Sequence, residues 1–300
     1  MQPAMGWRHT LLHVSALLLL LKPRVLLLIV FCALVGMLLA SPGLPSLGLL
    51  CLAMVGIALV AGAAAMMNCL LERLLDARMQ RTAWRATARG EAGRGETLLL
   101  ALLLGGSGML LLCWRVNLLT ACLTLGTFLA YTLVYTLLLK PRTPQNIVIG
   151  GLSGAMPPLL GWTAMTGQIS PHALLLLLII YLWTPPHFWS LALYRRQDYA
   201  RAGLPMLPLT HGQAYTTLSI LLYSCLLAAA TLLPLALGVA GCIYLLAALL
   251  LDARFLFLAV QLHRQYADAL ARRMFSWSIW YLTWLFAAML LDHYCLIPVS

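Results

Sequence analysis

Long apolar runs recur from one end of this 300-residue chain to the other, and they constrain the fold more than any other feature. A bilayer core needs about 20 consecutive apolar residues from a helix, and a spanning backbone must satisfy its own polar groups. Runs of this length are helical and too long for barrel strands. Composition agrees: 63% of residues are hydrophobic and only 9% charged, with mean hydropathy +0.93. A soluble domain carries roughly a quarter charged residues. The chain is therefore read as an all-α integral membrane protein, one domain over 1–300.

Nine spans are drawn: 24–42, 47–71, 97–115, 117–138, 147–166, 172–194, 215–235, 237–257 and 276–296. Leu11–Leu21 is too short to cross, so residues 1–23 are an interfacial lead-in. Lys22-Pro23-Arg24 interrupts the first apolar run and no small-residue cleavage site follows, so this segment is expected to be retained. Polar residues gather in the connections near 72–96, 139–146, 195–214 and 258–275. With the N-terminus in the cytoplasm, all of the 19 Lys and Arg residues except Arg115 fall on the cytoplasmic side. That asymmetry sets the orientation. It also accounts for the net charge of +11 without nucleic acid as a partner. The eight cysteines form no C-x-x-C pair and are expected to be small buried hydrophobes.

Chemistry concentrates at the cytoplasmic ends. Asn68, Glu72 and Asp76 are spaced four apart where an apolar run ends, so a continuing helix stacks them on one face. Arg78, Arg81 and Arg85 follow. Carboxylates beside cations suit a diphosphate held through Mg²⁺, which usually takes one or two carboxylates plus substrate phosphate. The plain alternative is a charged helix end seated at the headgroups.

Lys140 and Arg142 precede the fifth span and offer two more phosphate grips, or two more topology anchors. Small residues at Gly150/Gly154 and Gly151/Ala155 point to close helix packing. In the sixth span, Pro185-Pro186 should break or kink the helix, with His187 just beyond. His187 is a ligand or acid–base candidate, or else a cap for carbonyls that the prolines free. Asp198, flanked by Arg195 and Arg196, could face Asp76 as the second half of a magnesium site. The second and sixth spans end alike, in polar loops with a carboxylate, which suggests two parallel four-helix repeats.

Asn68-x-x-x-Glu72-x-x-x-Asp76-x-x-Met79-x-Arg81-Thr82-x-x-Arg85 resembles the first signature of the UbiA-type membrane prenyltransferases. Further motifs narrow this to the protohaem IX farnesyltransferase (haem O synthase) branch. They are Lys22-Pro23-Arg24-Val25, Thr143 to Gly151, Pro157-Pro158, Trp183 to Trp189, Gly203 to Pro208, Ala271 to Phe275 and Ser278 to Leu282. The chain departs from that branch at Glu72 and Leu74, where Asp is usual, and at Gln197, where an acid often stands.

The resemblance implies a nine-helix bundle around a central cavity in a bacterial inner membrane. It implies farnesyl diphosphate and haem B as substrates and haem O as product. Mg²⁺ would sit on Asn68, Glu72, Asp76 and Asp198. Arg81, Lys140, Arg142 and Arg195 would hold diphosphate, and His187 would hold haem. A haem A synthase or a terminal oxidase would take the product. Prenylation of an aromatic quinone precursor, and a non-catalytic transporter or oxidase assembly factor, are the competing readings.

Overall fold

The computed structural model describes residues 4–41 and 43–295, with side chains from Leu12 onward. Three expectations touch residues outside this set: the Arg8 side chain as a cytoplasmic charge, and Pro42 and Leu296 as span ends.

Among the described residues there are helices and no strands. In chain order they are α1 (Ala4–Leu20), α2 (Pro23–Leu39), α3 (Leu47–Leu71), α4 (Arg73–Arg78), α5 (Ala86–Arg89) and α6 (Arg94–Arg115). Then come α7 (Leu118–Leu129) with its π-helical continuation Ala130–Leu139, α8 (Asn146–Ala155), α9 (Pro157–Thr166) and α10 (Pro171–Tyr194). Last are α11 (Arg196–Arg201), α12 (Leu207–Thr210), α13 (Gly212–Ala236), α14 (Cys242–Arg264) and α15 (Asp268–Cys295).

Eight helices are long and apolar enough to cross a membrane. A ninth span results if Leu12–Leu20 and Pro23–Leu39, which meet at 47°, count as one broken crossing. The expected lead-in is thus helical, and its bend falls at Lys22, a non-glycine residue with φ 53°. Pro23 removes a backbone donor there and opens α2 at a position that tolerates proline.

The drawing of 258–275 as a loop does not hold. α14 continues to Arg264 and α15 starts at Asp268, leaving a break of three residues. Gln261, His263, Arg264, Arg272 and Arg273 lower the hydropathy without stopping the helix, because backbone hydrogen bonding continues past the lipid boundary. The expected break at Pro185-Pro186 is also absent: α10 runs unbroken through both prolines. Thr184 and Ser190 hydroxyls donate to the Ile180 and Pro186 carbonyls at 2.8 and 2.6 Å beside them. The span before α10, Asn146–Thr166, passes from α8 to α9 at Met156-Pro157-Pro158 without a sharp bend, Met156 keeping helical φ −66° and ψ −29°.

Successive spans pack on one another, and α15 returns to α2, so the bundle closes into a ring. One cluster joins α2, α8, α10, α13, α14 and α15 through Val35, Ile147, Ile179, Leu227, Phe255 and Phe286. A second joins α2, α3, α6, α7 and α9 through Met37, Ile57, Leu112 and Leu160. The closest backbone approach is α2 on α9. A Cβ on Gly36 would lie 2.0 Å from the Pro158 carbonyl oxygen, and one on Gly161 2.0 Å from that of Ala33. Gly150 and Gly151 do pack closely, on Tyr135 and Thr184, whereas Gly154 has no neighbour within 4 Å.

Leucines on α6 such as Leu99, Leu102 and Leu103 point outward, as does Leu250 on α14. Six of the eight cysteines lie on the outer surface too, and only Cys32 and Cys69 are buried. In a membrane bundle the outer face meets lipid, so an apolar residue need not be covered by protein.

The half-repeat appears in the element order. A six-residue helix, RLLDAR, follows α3 after a hinge at Glu72 (φ −92°, ψ 6°). Another, RQDYAR, follows α10 after a hinge at Arg195 (φ −108°, ψ 16°). A four-residue helix and then a long span come next in both.

Candidate active site

The two hinged loops meet at one end of the bundle. Met79 packs with Ala192, Tyr199, Ala202, Leu204 and Met206, and Leu75 of α4 leans on them. This contact holds α4 against α11 and buries both Asp76 and Asp198.

The stacking of Asn68, Glu72 and Asp76 survives the hinge. The Glu72 N–H donates to the Asn68 carbonyl at 2.9 Å, and the Asp76 N–H to the Glu72 carbonyl at 2.7 Å. All three side chains are buried. Each takes a cation from a different segment. The Lys22 ammonium at the α1–α2 bend donates to Asn68 Oδ1. Lys140, at the end of the π-helix, donates to Glu72 Oε1 at 2.5 Å. Arg85 donates to Asp76 Oδ2 at 2.6 Å. Asn68 Nδ2 donates to Thr136 Oγ1 at 3.1 Å, tying α3 to the π-helix.

The π-helix sets this geometry. Its wider turn lets the Lys140 N–H reach the Tyr135 carbonyl and the Thr136 hydroxyl reach the Tyr131 carbonyl, each five residues back. π-turns inside α-helices often mark functional sites. Tyr131 and Tyr135 stack with centroids 5.7 Å apart, and the Lys140 ammonium lies 6.0 Å from the Tyr135 ring centroid.

Burial alone would raise the Glu72 carboxyl. The Lys140 charge and hydrogen bond, with help from Lys22 and Arg85, overcome this and hold it below the usual carboxylate range. Burial would likewise lower the Lys140 ammonium, but Glu72 holds it above the usual lysine range. Both groups are thus charged at neutral pH. Three cations face two carboxylates, which leaves room for an anion.

Of the four residues expected from sequence to hold metal, Asn68 and Glu72 are engaged by Lys22, Thr136 and Lys140, and Asp76 and Asp198 keep an open oxygen each. Asp76 Oδ1 and Asp198 Oδ2 are buried and receive no hydrogen bond; the Arg195 guanidinium stands 3.7 Å from the latter. Buried carboxylate oxygens of this kind are hard donors suited to Mg²⁺. Among the described residues, no three His, Cys, Asp or Glu side chains are close enough to enclose a metal by themselves. A site of that kind suits an ion that shares its ligands with substrate phosphate.

The expected phosphate cations fare differently. Lys140 is central, and Arg195 lies beside Asp198 and over the Tyr194 ring at 5.6 Å. Arg142 does not join them: it is exposed and donates to the Leu137 and Leu138 carbonyls at 3.1 and 3.3 Å. The last carbonyls of a helix lack partners, and a nearby arginine satisfies them. Arg81 is half-buried and makes no side-chain ion pair among the described residues. Lys22 and Arg85, not among the expected phosphate cations, are the ones paired with Asn68 and Asp76. Lys22 read as a topology anchor in the sequence, though its place before a span-breaking proline was a signal.

His187 is buried between α10 and α15. Its ring stacks on Trp183 at 4.3 Å and on Phe275 at 4.5 Å, and its Nδ1 lies 2.6 Å from Ser278 Oγ. It does not cap carbonyls freed by Pro185 and Pro186. The Phe275 ring continues to Tyr194, against which Arg195 and Arg272 both lie. An aromatic column therefore links His187 to the basic end of the bundle.

A sequence pattern described as the UbiA prenyltransferase family matches residues 29–289, and the chain belongs to that family. Within it, the chain is similar to protoheme IX farnesyltransferase 1 of Chromobacterium violaceum, 71% identical over 294 residues, covering 98% of this chain and 97% of the relative. The protoheme IX farnesyltransferase of Leptothrix cholodnii is 58% identical, covering 97% of both. Among solved structures, a digeranylgeranylglyceryl phosphate synthase superposes with TM-score 0.79 at 16% identity, covering 95% of this chain and 99% of that one. A UbiA homolog from Archaeoglobus fulgidus bound to DMAPP and Mg²⁺ superposes with TM-score 0.64 at 15% identity, covering 91% and 98%. These two likenesses establish the fold.

Proposed function

We propose that this multi-pass membrane protein transfers the farnesyl group of farnesyl diphosphate to a vinyl group of haem B, giving haem O. One observation carries the chemistry. Buried Glu72 and Asp76, one turn apart across the α3–α4 hinge, are each matched to a cation, and one oxygen each on Asp76 and Asp198 remains open. The high identity to relatives named protoheme IX farnesyltransferase carries the acceptor.

Asp76 and Asp198 would hold Mg²⁺ with Glu72, and Asn68 would orient within the same stack. The ion, when bound, supplies positive charge to the diphosphate and makes it a better leaving group. Lys22, Arg85, Lys140 and Arg195 stabilise the negative charge that builds on the departing oxygens. Arg81, half-buried in the same loop as Asp76, would add to them; Arg142 contributes to the end of the π-helix instead. The Tyr131 and Tyr135 ring faces suit a neighbouring allylic cation, because aromatic faces attract positive charge. Apolar surroundings would keep water from that cation until the vinyl carbon has attacked. Water then adds to the second cation, on the haem side, and gives up a proton to solvent, which leaves the hydroxyethylfarnesyl group.

His187 would hold the haem iron, with Trp183, Phe188 and Phe275 as an apolar slot. Imidazole is a common haem ligand. The cytoplasmic N-terminus, the bacterial inner membrane and delivery of product to a haem A synthase or terminal oxidase belong to the same reading. The test is release of diphosphate by purified protein. It should require farnesyl diphosphate, haem B and Mg²⁺ together and stop with EDTA. Release with hydroxybenzoate in place of haem would favour a quinone precursor as acceptor. Absence of release under all conditions would favour a carrier or assembly factor.

A further inference from the structure

We infer that Ser278 is a positioning residue that fixes His187 as the tautomer with Nδ1 protonated, so that the Nε2 lone pair faces the ligand. The inference rests on the reading of His187 as a haem ligand and adds a residue to it.

The argument is a count of protons. The Ser278 hydroxyl carries one, and it donates to the Phe275 carbonyl at 2.6 Å, one turn back in α15. Its oxygen can then only accept in the contact with His187 Nδ1, also at 2.6 Å. The ring proton is therefore on Nδ1. In the opposite arrangement Ser278 donates to Nδ1 and the ring proton moves to Nε2. In that arrangement the Ser278–Phe275 bond is lost, and the Nε2–H finds no protein acceptor among the described residues. The first arrangement pairs both protons.

The surroundings hold this choice. Trp183 Nε1 donates to the Ser278 backbone carbonyl at 2.7 Å, so the turn of α15 that carries the hydroxyl is pinned to α10. Trp183 and Phe275 cover the two faces of the imidazole, tilted from it by 18° and 27°, and block a ring flip. A ligating histidine commonly has its other nitrogen held in this way, and loss of the outer partner typically costs 10–100-fold in affinity. Here the partner is a neutral hydroxyl, which orients the ring without adding charge to a membrane interior.

The experiment is a titration of the purified, detergent-solubilised protein with ferric haem B, followed by its absorbance. Ser278→Ala should weaken haem binding by roughly 10–100-fold, with farnesyl diphosphate binding kept. Ser278→Thr, which keeps the hydroxyl, should restore it. In the unliganded wild type, ¹⁵N spectra of the histidine rings, assigned with His187→Ala, should show His187 protonated on Nδ1 only. That measurement needs no variant at position 278. Wild-type haem affinity in Ser278→Ala, or a ring protonated on Nε2, would overturn the positioning role while leaving the ligand role intact. An unchanged haem spectrum in His187→Ala would overturn both.

Discussion

At the residue scale, the account turns on the pairs Glu72–Lys140 and Asp76–Arg85. Removing one partner leaves a buried charge uncompensated, which costs about 3–5 kcal/mol. Glu72→Gln and Asp76→Asn should therefore lower turnover by about 100-fold or more and also lower thermal stability. Glu72→Asp should retain measurable activity, because it keeps the carboxylate one methylene shorter. Full turnover in Asp76→Asn would remove the acid stack from the mechanism. Lys22→Ala should raise the Michaelis constant for farnesyl diphosphate, and unchanged kinetics would return Lys22 to a role in topology alone.

The pH dependence of the Glu72 pair has a definite sign. Its carboxyl is held below the ordinary value, so its stabilisation is fully present above that value and is lost as pH falls through the lowered one. Lys140 is held above its ordinary value, so its contribution is lost only as pH rises through the raised one. The stability gap between wild type and Glu72→Gln should stay constant between about pH 5 and 9 and shrink in stronger acid or stronger base. A gap that closes near neutral pH in thermal melts would contradict the pairing.

At the element scale, the buried network of α13, α14 and α15 is the feature least visible beforehand. Asp252 stands inside the apolar run of α14. It accepts from the Tyr281 hydroxyl at 2.6 Å and from the Thr231 hydroxyl at 2.7 Å. Tyr244 closes the group by donating to the Thr231 carbonyl at 2.9 Å. A lone acid in a span was the available signal, since such residues usually face a partner. Asp252→Ala should destabilise the protein by about 1–3 kcal/mol through the Tyr281 hydroxyl it leaves unpaired, since Thr231 can still donate to the Ala228 carbonyl at 2.8 Å. Thermal melts in detergent would measure it, and an unchanged midpoint would mean the network is idle.

What could be read from sequence at this scale follows from what each residue type enforces. Apolar length sets the spans, so α3, α10 and α13 lie within a few residues of their drawn limits. Proline was ambiguous, because its effect depends on neighbours the sequence does not display. Pro157-Pro158 opens a new helix, whereas Pro185-Pro186 is absorbed in one. Polar residues past the membrane boundary misled in the same way, hiding the continuity of α14. In the site, the four-residue spacing of the acids was legible. Two of their partners were not, since Lys22 and Lys140 reach Asn68 and Glu72 only when distant spans pack together, whereas Arg85 pairs with Asp76 inside one loop.

At the scale of the whole molecule, the ring brings two equivalent hinged loops together at one end. That end holds nearly all the charge, while the outer surface is leucine-rich. Reporter fusions after Asp76, Lys140 and Arg201 should all read cytoplasmic, and an external reading at any one would break the proposed orientation. The central claim is that the buried acid and cation cluster serves farnesyl transfer to haem. The direct test is mass spectrometry of haems after incubating purified protein with haem B, farnesyl diphosphate and Mg²⁺. The account predicts haem O, formed by wild type and lost in Asp76→Asn. Haem B recovered unchanged, while the same preparation prenylates hydroxybenzoate, would contradict it.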